Sequence, residues 1–142
     1  MYQALLHAHS GLRWIVLILL LINVLNAFGG YAGKKIVGAG DKKLSLFGLI
    51  SMHTQVLLGL ALYAMSPKVQ FSANTMSNSM LRFFTMEHTV MMLIAVILVT
   101  IGHRATKSGS FKKEFWYYFS ALLIILAAIP WPFRTILGAG WF

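Results

Sequence analysis

The chain has 142 residues, of which 58% are hydrophobic and 11% charged, against about a quarter charged in an ordinary soluble domain. That balance excludes a soluble globule, a disordered tail and a coiled coil, and the length allows one compact domain, 1–142, with no second. A net charge of +9 would suggest nucleic acid in a soluble protein. Here the basic residues lie in loops between apolar stretches, so no nucleic-acid partner is expected, and the absence of cysteine removes disulfides, thiolate metal sites and covalent haem attachment.

Four apolar stretches follow one another: Leu5–Phe28, Ser45–Ala64, Phe83–Gly102 and Phe115–Arg134. Each holds about 20 residues, enough at about 1.5 Å per residue to cross a hydrocarbon layer of about 30 Å. In lipid every backbone polar group must be paired within its own segment or in a closed barrel. Continuous apolar runs without two-residue alternation therefore predict helices. The expected fold class is all-α: an integral membrane bundle of four antiparallel transmembrane helices.

The first stretch is too long for a signal-peptide core and lacks a basic segment before it, so it is expected to be a retained helix. Gly29, Gly30 and Gly33 are expected to break it, and Gly38–Ala39–Gly40–Asp41 supplies a turn before the second helix. The polar segment Ser66–Ser79 offers room for a short surface helix. Pro130 and Pro132 should kink or end the fourth helix. Trp14, Trp116, Tyr117, Tyr118, Trp131 and Trp141 fall near predicted interfaces, where amphipathic rings act as anchors. Lys34, Lys35, Lys42, Lys43, Arg104, Lys107, Lys112 and Lys113 fall on one side of the membrane, and Lys68, Arg82 and Arg134 on the other. The positive-inside rule then puts both termini and the 66–82 loop outside the cytoplasm.

Against this apolar background Arg13, Asn23, Asn26, His53, Gln55, Glu87 and His88 stand out at depth. Ionisable groups inside a bilayer are costly and mark functional sites by default. Arg13 and Glu87 both lie about 22 Å above the inner boundary of their helices. They are expected to form a structural ion pair, since either charge alone would cost several kcal/mol. His53 lies lower, at about 12 Å. Imidazoles from two helices, with arginines above them and an apolar slot between, suit a b-type haem. His88, His53 and His9 are the candidate iron ligands. Arg13, Arg82 and Arg134 are candidate donors to the haem propionates. His88 is the ligand whose depth is best defined, and His53 the preferred second ligand, because it is deep enough to stay dry. Gly48, Gly59 and Ala95 would let a flat macrocycle approach the backbone.

The segments His7-Ala-His9-Ser-Gly-Leu-Arg13-Trp14, Met52-His53-Thr-Gln55 with Gly59, Arg82-Phe-Phe-Thr-Met-Glu87-His88 and Ile129-Pro130-Trp131-Pro132-Phe133-Arg134 resemble small bacterial four-helix integral membrane proteins of the cytochrome b-like type. The similarity covers nearly the whole chain, including Gly-Asp-Lys-Lys at 40–43. It implies a b-haem carried by His9, His53 and His88, electron transfer in the bacterial cytoplasmic (inner) membrane, and work beside other membrane subunits or a redox partner, with quinone a candidate electron carrier. Two other functions remain open on the residues alone. One is a haem-free accessory subunit of a larger membrane complex. The other is a metal or proton conductor using the histidines with Met52, Met86, Met91 and Met92, since methionine suits soft Cu(I) but also packs apolar interiors. No hydrolytic constellation is present, so an electron-transfer or accessory subunit is expected rather than a stand-alone enzyme.

Overall fold

A computed structural model describes residues 1–141. Four main helices account for most of them: Tyr2–Ala32, Ala39–Met65, Ser79–Lys107 and Phe111–Ala128, with a 3-10 turn at Thr135–Leu137. The first three are long and apolar enough to cross a membrane. The fourth is shorter, and its first turn carries Lys112, Lys113 and Glu114. Each helix packs on its chain neighbours, and the fourth closes on the first. The first and third helices therefore face each other across the diagonal of the bundle.

Each helix buries one stripe. On the first helix it runs Arg13, Val16, Leu20, Asn23, Ala27 and Gly30, at steps of three and four; on the fourth it runs Phe111, Glu114, Tyr118, Ala121, Ile125 and Ala128. Such steps place side chains one above another on one helix face. The opposite faces carry exposed Ile15, Ile18, Leu25, Phe47, Leu57 and Ile97. A helix apolar on both faces matches burial on one side and lipid on the other.

The helix ends differ from the expected ones for local reasons. The first helix runs through Gly29 and Gly30 to Ala32. Gly30 is there for packing: a Cβ on it would lie 2.5 Å from the Phe111 ring. The chain turns at Gly33 and Lys34, the latter at φ 50. Gly38 then caps the second helix, its N–H donating to the Asp41 carboxylate at 2.7 Å. Ser66–Asn78 forms turns rather than a surface helix. The fourth helix ends at Ala128, short of Arg134, because Pro130 holds Ile129 in extended backbone at ψ 130. Tyr118 is fully buried and anchors no interface, whereas Trp14, Trp131 and Trp141 pack together at the opposite end.

Candidate functional site

Helical spacing carries the inward stripe of the first helix back from Arg13 to His9, four residues earlier. On the third helix, five residues from Phe83 to Glu87 form a π turn, closed by the His88 N–H bonding to the Phe83 carbonyl. Such an insertion resets the face that the following residues present, and π turns recur at functional sites. Here it turns His88 to the bundle centre. The two imidazoles meet across the diagonal with ring centroids 6.4 Å apart and planes at 76°.

Both rings are held. His88 Nδ1 lies 2.8 Å from the Ala128 carbonyl on the fourth helix. A carbonyl can only accept, so Nδ1 carries the proton and Nε2 keeps a free lone pair. Gln55 on the second helix donates to the His9 carbonyl at 2.9 Å, and its amide nitrogen lies 3.4 Å from His9 Nε2. Gly59, one turn further along, has no side chain, and a Cβ there would lie 3.1 Å from His9 Cε1. Larger residues at 59 would push the imidazole away.

His9, His88, Arg13, Gln55 and Gly59 line one cavity of about 230 Å³, walled by Val16, Met52, Val56, Met92, Ile125 and Ile129. One water needs only about 10–15 Å³ of such space, so the cavity takes a ligand far larger than a solvent molecule. Of these lining residues, His9 Nδ1, Arg13 Nε and Gln55 Oε1 are buried atoms without hydrogen-bond partners. Leaving such an atom unpaired costs about 1–3 kcal/mol. Arg13 Nη2 donates to the Trp141 carbonyl. Lys68 borders the same cavity and donates to the Gly138 carbonyl at 2.9 Å. Partial burial there lowers the Lys68 ammonium below the usual lysine range. Two cations thus stand at the cavity, bonded to backbone carbonyls of the C-terminal segment.

The other expected site residues lie elsewhere. His53 is exposed on the outer face of the second helix, its Nδ1 bonded to the Leu49 carbonyl at 2.9 Å. It does not approach His88. Met52, Gln55 and Leu62 mark the inward stripe of that helix, and position 53 lies off it. The Arg13–Glu87 pair is not formed: Glu87 bonds Arg82 at 2.7 Å, and both side chains are well exposed. The π turn brings residues five apart onto one side, which a uniform α-helix would not do. Arg82 is committed to Glu87 and the Met76 carbonyl, and the Arg134 guanidinium lies 4.8 Å from the centre of the Phe83 ring. Gly48 faces Asn23 rather than the cavity. Met86 points outward at 44% exposure, and among the described residues no three histidine, aspartate or glutamate side chains converge as a metal site.

Lys68 and Glu114 were not among the expected site residues. Glu114 lies on the inward stripe of the fourth helix, fully buried at the end of the bundle opposite the two imidazoles. No protein-family model, curated protein or solved structure matches the chain.

Proposed function

We propose that the chain is a multi-pass membrane protein of the cytochrome b-like type that binds one b-type haem between His9 and His88 and transfers electrons. The observation that carries this reading is the pair of inward imidazoles from diagonal helices, 6.4 Å apart beside a cavity. Metal–imidazole bonds are about 2.0–2.1 Å long, so two imidazoles flanking one metal ion have centroids about 6 Å apart. The bond from His88 to the Ala128 carbonyl is the arrangement that orients a metal-binding histidine.

A bound haem supplies one-electron chemistry, with a potential set by axial ligands, burial and nearby charge. His9 and His88 hold the iron, Gln55 and the Ala128 carbonyl orient them, and Arg13 and Lys68 offer charge-assisted donors to the propionates. Met52, Met92, Ile125 and Ile129 keep water from the metal. The eight basic residues of the 33–44 and 103–113 segments favour an orientation with that end in the cytoplasm and the cavity end outside, in keeping with four spans of a bacterial inner membrane. The haem then lies near the outer face, suited to exchange with an outward-facing partner and, through the bundle, with a quinone pool.

Purification in detergent with an absorption spectrum and a pyridine haemochrome assay tests this. A Soret band with one haem b per chain is expected. A colourless protein that takes up no added haemin contradicts the proposal, and the inward histidines then serve helix register in an accessory subunit.

A further inference from the structure

The end of the bundle away from the cavity holds a second polar cluster. Glu114 is fully buried, and neither carboxylate oxygen has a hydrogen-bond partner. Tyr118, four residues along the same helix, stacks on the same face and is equally buried. Its hydroxyl bonds Ser45 Oγ on the second helix at 2.6 Å. Ser45 Oγ in turn bonds His103 Nδ1 on the third helix at 2.9 Å. His103 is only half-buried, at the end of its helix beside the basic loop. The Thr106 hydroxyl neighbours both Tyr118 and Glu114. Gly102 makes room for this chain, since a Cβ on it would lie 2.5 Å from the Tyr118 ring.

Hydroxyl and imidazole groups accept a proton on one side and give one on the other. The row His103–Ser45–Tyr118 therefore joins the aqueous edge to the dry interior in two short hydrogen bonds. From Tyr118 the Thr106 hydroxyl, which neighbours both groups, leads to the Glu114 carboxyl in the first turn of the fourth helix, where no side-chain cation offsets the desolvation of its ionised form. The charged group acting on it from the second helix is Asp41, of the same sign.

We propose that Glu114 is a proton-storage site, filled from the basic-loop side through His103, Ser45, Tyr118 and Thr106. In each filling step one proton enters at His103, the intervening groups pass on one proton each and return to their starting state, and the Glu114 carboxylate becomes a carboxylic acid. The site does not rest on the haem reading. In a protein that gains an electron in a low-dielectric interior it would supply the compensating proton.

Composition makes the test clean, because the chain has only three acidic side chains. Asp41 accepts bonds from Asn26 and from the Gly38 N–H, and Glu87 is paired with Arg82, so both carry charge. Infrared spectra of the purified full chain should show one side-chain carboxylic-acid stretch that shifts in D2O and is missing in Glu114→Gln. Ser45→Ala and Tyr118→Phe should keep the band and slow its shift at least tenfold, with helix content unchanged by circular dichroism. No such band in the wild type would mean an ionised Glu114 held by the helix N-terminus, and would overturn the proposal. So would a band that survives Glu114→Gln, one that never shifts in D2O, or exchange as fast in both relay variants as in the wild type.

Discussion

Glu87 and His88 are neighbours in sequence, yet one meets the outer surface and the other the bundle centre. The π turn at Phe83–Glu87 separates them. Depth along the axis was legible in the sequence, because rise per residue is nearly constant. Rotation about the axis was not, because one inserted residue alters it for everything beyond. Hence the Arg13–Glu87 pair was expected where Arg82–Glu87 forms. An exposed pair of this kind contributes about 0.2–1 kcal/mol, so Glu87→Gln should lower the thermal midpoint of the purified protein only slightly. A loss of several kcal/mol would mean that Glu87 compensates a buried charge after all. His9 was more readable than His53. His9 extends the Arg13–Val16–Leu20–Asn23 stripe by four residues, whereas His53 lies beside Met52, between the inward positions of its own helix.

Among the elements, the existence of four helices followed from the apolar runs, while their ends answered to local chemistry. Pro130 stops the fourth helix six residues before Arg134. Its start at Phe111, four residues before the apolar run, brings Glu114 onto the buried stripe, which a reading by hydropathy alone leaves in a loop. Glycines in the first helix show the same limit, since hydropathy cannot tell a packing glycine from a breaking one. Gly29 has open space where a Cβ would go, and Gly30 has the Phe111 ring. Gly29→Ala should therefore be neutral or stabilise by up to about 1 kcal/mol, the helix-propensity gain. Gly30→Ala should destabilise, by about 1–3 kcal/mol as overpacking does. Thermal melts of the two variants side by side check this, and equal shifts would contradict the packing seen at Phe111.

For the whole molecule, the distribution of charge predicts the orientation that the helices alone do not determine. A cysteine at Ser77 should react with an impermeant maleimide in intact cells, and one at Ser108 should react only after lysis; the reverse pattern would invert the bundle and put the imidazoles near the cytoplasm. We propose that this bundle binds one haem through His9 and His88. The most direct measurement is the visible and electron paramagnetic resonance spectrum of the purified protein in a histidine-to-alanine series. Wild type and His53→Ala should show the same low-spin haem with two histidine ligands, and His9→Ala and His88→Ala should each lose that signature. Loss in His53→Ala with retention in His9→Ala would contradict the account.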